Sequence, residues 1–237
     1  MFTHVKHNIE RPFVKTDHDD TGHYYITDKG KRYPSITTMF KLLDDGEWKK
    51  FWIASVAKKH NCTELKAEKI CHQISVDSLD VGNALHKYAE VHLNNDKIVE
   101  IQTDREYPVD LNSLFEPLHN HLNEHIDNIH GIEIPIYSDE LELAGTSDCI
   151  AEYDGVLSII DFKNSRKMKT KSECEKRNYF TQLCAYSKMW EFCTGEKIKQ
   201  GVIIVISWDG KLKAFKINID DYETDLWKKL ILIEQKL

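Results

Sequence analysis

Asp154-Gly155 stands between two apolar runs, Gly145 to Tyr153 (GTSDCIAEY) and Val156 to Lys163 (VLSIIDFK). In that setting the pair specifies a two-residue hairpin with a type I′ turn, because both central residues must adopt positive φ. The turn fixes the register, and cross-strand partners lie symmetrically about it. Asp148 and Asp161 are therefore expected directly opposite each other. Counting outward from Tyr153–Val156 puts them at a non-hydrogen-bonded position, where side chains approach most closely. Opposed β-carbons lie about 4.5–5.5 Å apart, and like charges there repel. A cation between the two carboxylates relieves that repulsion. Lys163, two residues past Asp161, points to the same face. Two acids and an amine on one face of a hairpin suit a hard cation with a basic group beside it, the chemistry of metal-assisted phosphodiester hydrolysis. A bulge would shift the pairing by one residue and dissolve the arrangement. An Asp-x-Lys triplet is also common on solvated strand faces, so the hairpin needs independent support.

At 237 residues, with 41% hydrophobic and 30% charged content, the chain can build one good core, or one core plus a helical annex. No apolar run approaches the roughly 20 residues that cross a bilayer. The N-terminal text MFTHVKHNIERPF resembles neither a secretory signal nor a transit peptide, which makes a cytoplasmic location the expectation. Cys62, Cys71, Cys149, Cys174, Cys184 and Cys193 include no Cys-x-x-Cys pair. Reduced thiols are the simple reading, and an iron–sulfur cluster or zinc site built on them is not expected. Only a gathering of Cys174, Cys184 and Cys193 with Cys62 would provide one.

The net charge of −7 argues against a protein that coats nucleic acid by charge. Local distribution differs from the total. Lys163, Arg166, Lys167, Lys169, Lys171, Lys176 and Arg177 face only Glu173 and Glu175 in the same stretch. Such a run could hold a phosphate backbone near the hairpin, or be a solvated loop.

Along the chain, His23–Thr27 and Arg32–Thr37 flank Asp28–Lys31 as a small hairpin. Helices are expected over Glu47–His60, from Thr63 to about Ile74, and from a cap at Asp77 or Ser78 to about Asn94. A polar link around Pro108 follows. Asp110–His130 carries Leu111, Leu114, Phe115, Leu118, Leu122, Ile126 and Ile129, a one-face helical stripe ended by Gly131. Then come a strand over Gly131–Ser138, the Asp154-Gly155 hairpin and a helix from Ser172 or Glu173 to Cys193. Strands over Gly201–Trp208 and Lys211–Ile217 and a last helix over Asp220–Lys236 complete the chain. The order fits a mixed α/β sheet covered by helices on both faces, with an N-terminal helical annex. No linker-like stretch divides it, so one domain is expected, residues 1–130 forming hairpin and annex and 131–237 the core.

Several residues could serve the hairpin. Gln182 and Tyr186 are four apart on one helix face and could steady a phosphate, or be ordinary surface and half-buried residues. His86 follows Gly82 by one turn. A mid-helix Gly costs about 1 kcal/mol relative to Ala, so a close approach is expected there. His86 itself is a candidate metal ligand or phosphate contact, or a structural histidine. Glu133 is preferred over Glu140 as a third carboxylate, because it lies within the strand-like run. Ser35 and Thr37 could bond phosphate or cap the next element. His119, His121 and His125 flank an apolar stripe with its own packing role, which disfavours zinc there.

Taken in order, Gly82–His86, Glu133, Gly145–Asp148, Asp161-Phe-Lys163-Asn-Ser165 and Gln182–Tyr186 resemble the motif series of RecB-like nucleases of the PD-(D/E)XK superfamily. Tyr33–Thr37, Asp148-Cys149 and the Gly201–Asp209 strand are most similar to the mitochondrial genome maintenance exonuclease branch, or to a phage or bacterial relative of it. The similarity runs from about Tyr33 to the C-terminus. It implies a restriction-endonuclease-like core and an exonuclease acting on free ends of single-stranded DNA with Mg²⁺ or Mn²⁺. On that reading Asp148, Asp161, Lys163 and His86 are catalytic, and Asp148, Asp161, Glu133, His86 and the Phe162 carbonyl hold metal. Gln182, Tyr186, Ser165, Arg166, Lys167 and Ser35 would bind substrate. No membrane role is implied. A flap- or branch-selective endonuclease, or a non-catalytic DNA-binding subunit on the same fold, are the alternatives.

Overall fold

The computed structural model describes residues 1–7, 13–97 and 107–235. Its centre is a five-stranded sheet of β4 (Ile126–Ser138), β5 (Leu143–Tyr153), β6 (Val156–Ser165), β7 (Gln200–Ser207) and β8 (Leu212–Asn218), in that spatial order. All neighbours are antiparallel except β6 and β7, which are parallel. A parallel pair needs a crossover, and α5 (Lys171–Lys176) with α6 (Tyr179–Thr194) provides it. A second, three-stranded sheet holds β1 (Phe13–His18), β2 (His23–Thr27) and β3 (Arg32–Pro34). The remaining elements are α1 (Ile36–Leu43), α2 (Glu47–His60), α3 (Glu64–Leu93), α4 (Asn112–His125), the 3₁₀ turn Ile219–Tyr222 and α7 (Glu223–Glu234). Among the described residues no helix is long and apolar enough to cross a membrane.

Alternation along β6 divides the core. Ile159 packs with Leu183, Trp190 and Ile203 against α6, whereas Ile160 and Phe162 pack with Leu85 and Leu118 of α3 and α4. Asp161 shares the parity of Ile159, so it points toward α6. Cys62 packs between α2 and α3, whereas Cys174, Cys184 and Cys193 pack in or against the α6 core, so the sulfurs do not gather.

The hairpin forms as its turn dictates. Asp154 and Gly155 have φ of 51° and 74°, and pairing runs from Tyr153–Val156 to Cys149–Ile160 without a shift.

The strand expected over Arg32–Thr37 ends at Pro34, because Ser35 caps α1 and Ile36 and Thr37 begin that helix. Three helix boundaries also differ from expectation. The helices expected on either side of residue 75 are one 30-residue helix, α3. Ser75 and Ser78 donate their hydroxyls to the Cys71 and Ile74 carbonyls, so the polar break is absorbed within the helix. The stripe ending at Gly131 stops earlier, at His125, because Ile126 and Ile129 belong to β4. Bulges on either side of Ile129 let two residues three apart face the same core, as they would on a helix. The helix expected to run to Cys193 is divided by Asn178, whose φ is 61°, and α5 starts at a Thr170–Glu173 capping box. The strand β1 was not anticipated, since FVKTDH has little apolar alternation. The link around Pro108 and Lys236 of the last helix fall partly outside the described residues.

The turn is therefore the local determinant of which residues oppose one another. Gly155→Val forces a β-branched residue into the left-handed region, at a cost of about 1–2 kcal/mol. Urea unfolding is expected to show a loss of that size, while Gly155→Asn remains close to wild type.

Candidate metal centre

The β5–β6 pairing ends at Cys149–Ile160, and Asp148 and Asp161 stand one residue beyond it on their two strands. There the Phe162 amide donates to Asp148 Oδ2 at 2.8 Å. On the other side of β5, Ile132 pairs with Cys149 and Ile134 with Ser147, so Glu133 lies across from Asp148. Glu133, Asp148 and Asp161 thus form a row across three adjacent strands. Glu133 has φ of 46°, left-handed for a non-glycine residue inside a strand, and such strain persists only where the surroundings enforce it. Asp148 is buried and Asp161 is 1% exposed, while Glu133 is partly open to solvent.

His86 reaches this row from α3. Its Nδ1 lies 3.6 Å from Glu133 Oε1 and 3.6 Å from Asp148 Oδ1. The donor atoms of His86, Glu133 and Asp148 all lie within 4.8 Å of one another. The other ring nitrogen, Nε2, is 2.9 Å from the Phe162 carbonyl. A carbonyl only accepts, so Nε2 carries the proton there. This is the usual arrangement of a metal-ligating imidazole, whose second nitrogen is held by a backbone carbonyl.

The glycine one turn earlier explains the approach of α3. A β-carbon on Gly82 would lie 2.7 Å from Asn164 Nδ2. Asn164 ties the helix to β6, donating to the Ser78 carbonyl at 3.0 Å and accepting from Trp208 Nε1 at 3.2 Å.

Lys163 Nζ sits 2.6 Å from Asp161 Oδ2 and 5.1 Å from the centre of the Tyr179 ring. Despite that ion pair, neither Asp161 oxygen accepts a well-directed hydrogen bond, although both are buried. A buried carboxylate without such bonds is costly, and a divalent cation would satisfy it. The donor set, three carboxylates and one imidazole, suits Mg²⁺ or Mn²⁺.

Burial raises the Asp161 pKa to about 6; Asp148 adds repulsion, and Lys163 opposes both. Burial also raises the pKa of Asp148, against the pull of His86 and Lys163. For Lys163, burial disfavours the charge, but Asp161 and Asp148 outweigh it and hold the ammonium protonated. His86 follows the same logic: burial opposes its charge, and Asp148 with Glu133 and Asp161 raises it to about 9.

The other candidate residues divide. Gln182 and Tyr186 are buried on α6, and Gln182 Nε2 donates to Tyr186 Oη at 3.4 Å. A β-carbon on Gly145 would lie 2.9 Å from the Tyr186 ring, so that glycine admits the tyrosine beside β5. Ser35 is the N-cap of α1; its buried hydroxyl accepts from the Thr38 amide at 3.0 Å, the capping alternative rather than a phosphate contact. The Ser165 carbonyl accepts from the Trp208 amide at 2.9 Å. Arg166 is exposed with its guanidinium 5.2 Å from the Trp208 ring centre, and Lys167 is exposed. His119, His121 and His125 are separately bonded, to Tyr88, Tyr153 and Asp154.

A cleft of about 690 Å³ opens beside the row, lined by Gly82, His86, Glu133, Lys163, Asn164 and Tyr179 among others. Tyr179 and Asn164 escaped the sequence reading. Tyr179 lies one turn before Gln182 on the same helix face, and that spacing was the available signal.

No protein-family model matches the chain, and no curated protein matches it. Among solved structures it is similar to the crystal structure of a protein from Eubacterium rectale named "Putative exonuclease". The two share 17% identity with a TM-score of 0.44, over 68% of this chain and 65% of that one. The matched part therefore spans just under two thirds of that protein, and at this level of likeness its name describes that protein alone.

Asp161 offers a direct electrostatic test. Its folded pKa, about 6, lies above the ordinary 3.8. Stability from this group is full below the ordinary value and is lost as pH rises through about 6. Thermal melts of metal-free wild type and Asp161→Asn between pH 4 and 7.5 should show the difference moving in the variant's favour by a few degrees, since about 1 kcal/mol corresponds to roughly 2–4 °C at this size. A constant difference would contradict the assigned environment.

Proposed function

We propose that this chain is a divalent-metal-dependent nuclease that hydrolyses phosphodiester bonds of DNA, with a restriction-endonuclease-like core formed by residues 131–237 and an annex formed by residues 1–130 in one domain. The observation that carries the reading is Asp161, buried beside Asp148 with one oxygen ion-paired to the Lys163 ammonium and Oδ1 without a partner, next to the His86–Glu133–Asp148 donor cluster.

Asp148, Asp161, Glu133 and His86 Nδ1 would hold Mg²⁺ or Mn²⁺. The bound ion would lower the pKa of its water and neutralise charge on the phosphoryl oxygens. The Phe162 carbonyl fixes the His86 ring, and its second lone pair would serve as a further ligand. Lys163 keeps its proton at neutral pH, so its part is to steady the attacking water or a phosphate oxygen by charge rather than to act as a base.

Single-stranded DNA with a free end is the substrate this reading favours. Tyr179 presents a ring in the cleft beside Lys163, where a base or sugar can pack. Exposed Arg166 and Lys167 follow directly on β6 and would draw the phosphate backbone toward the acids. Gln182 and Tyr186, buried behind the row and bonded to each other, would steady the substrate phosphate.

End-labelled linear and circular single-stranded DNA, incubated with Mg²⁺ or Mn²⁺, test the reading. Wild type should degrade the linear strand and spare the circle. Asp148→Asn and Lys163→Ala should each lose on the order of 10²-fold or more in rate, as removal of one transition-state donor does. Cutting of the circle would make the enzyme an endonuclease. No digestion with any divalent ion would end the enzyme reading.

The close packing at Gly82 gives a second test. Gly82→Ala should fold with unchanged circular dichroism yet bind Mn²⁺ about tenfold or more weakly by calorimetry, the usual cost of disturbing what orients a ligand. Unchanged Mn²⁺ affinity would detach His86 from the ion.

A further inference from the structure

His7, His130 and Glu196 come from three distant parts of the chain: the N-terminal segment, β4 and the turn after α6. Their donor atoms lie within 4.8 Å of one another. His7 Nε2 is 2.7 Å from His130 Nδ1, and His130 Nδ1 is 3.7 Å from Glu196 Oε2. All three residues are half-buried. They share no member with the His86 cluster.

The surroundings hold the three groups in place. The indole N–H of Trp190, a fully buried residue, donates to Glu196 Oε2 at 3.2 Å. The Glu196 amide donates to Thr194 Oγ1 at 3.1 Å. The His7 ring meets the Trp190 ring edge-on, with centroids 5.2 Å apart. A carboxylate oriented by a buried donor beside two imidazoles facing one point has the outer support that metal ligands generally have.

We propose that His7, His130 and Glu196 form a second metal site, selective for Zn²⁺ or a similar borderline transition metal. Two imidazoles and one carboxylate suit such ions, whereas the carboxylate-rich row suits Mg²⁺ or Mn²⁺. Without metal, one ring donates its N–H to the other. With metal, both nitrogens turn their lone pairs to the ion, and their separation opens to about 3.4 Å, the spacing set by Zn–N bonds of about 2.0–2.1 Å in a tetrahedron. Side-chain rotation accommodates that change. Three protein ligands leave one position for water.

The site would fasten the N-terminal segment to the sheet. That segment already covers the edge of β4: the Val5 amide donates to the Ile129 carbonyl and the Ile129 amide to the Thr3 carbonyl, each at 2.7 Å. An ion at His7 would clamp this edge pairing to the turn after α6.

Calorimetric Zn²⁺ titration tests this in the full chain carrying Asp148→Asn and His86→Ala, which disables the row and reports the second site alone. One Zn²⁺ per chain is expected. Adding His7→Ala, which alters only a terminal segment, should weaken binding at least tenfold, as should Glu196→Gln. Substituted Co²⁺ should give a tetrahedral visible spectrum that His7→Ala removes. Hydrogen exchange of residues 2–7 should slow with Zn²⁺ only when His7 is present. Zn²⁺ binding unchanged by His7→Ala, or no binding with all three residues intact, overturns the site. Neither result touches the nuclease reading, because the background is inactive by design.

Discussion

Carboxylates buried side by side on neighbouring strands repel one another, and each loses the water that would stabilise its charge. In this protein Asp148 and Asp161 are buried just past the paired end of the hairpin, close enough for each to feel the other's charge. Much of the surrounding structure answers that one electrostatic problem. Lys163 places an ammonium against Asp161, His86 places an imidazole against Asp148 and Glu133, and the Phe162 amide donates to Asp148. Even so, both Asp161 oxygens lack a directed hydrogen bond. A site optimised for stability alone would have an apolar pair there. A divalent ion would meet that demand.

The scaffold delivers these groups by removing side chains where backbones must approach. Gly82 lets α3 lie on Asn164, which sets the height of His86 one turn later. Gly145 makes room for the Tyr186 ring beside β5. Glu133 is brought to the row by a left-handed residue within a strand that is already bulged. Each device spends a little local stability to hold a charge-dense arrangement that the core, packed on both faces of the sheet, can support.

What the sequence reveals of this arrangement depends on how local its cause is. The Asp154-Gly155 turn, the register from Tyr153–Val156 out to Cys149–Ile160 and the parity of Lys163 follow from neighbours in the chain. The close approach expected at Gly82 is present, with Asn164 as the neighbour. Boundaries set by tertiary contacts were less legible. Ile126 and Ile129 satisfy a helical stripe and a bulged strand equally well, and only pairing with β5 selects the strand. The helix expected to end near Ile74 instead continues, with the Ser75 hydroxyl donating to the Cys71 carbonyl. Ser35 had two readings, and its hydrogen bond to Thr38 leaves the capping one. The left-handed Glu133 and the meeting of His7, His130 and Glu196 are products of the assembled fold and had no sequence pattern to betray them.

The central claim is that a divalent ion belongs between these strands, and its position can be observed without reference to any reaction. Anomalous scattering from crystals grown with Mn²⁺ would locate it. The account predicts a peak within bonding distance of Asp148 and of His86 Nδ1, with Asp161 and Lys163 adjoining. A fully ordered hairpin with no peak there at saturating Mn²⁺, or with Asp148 and Asp161 turned away from one another, would contradict it.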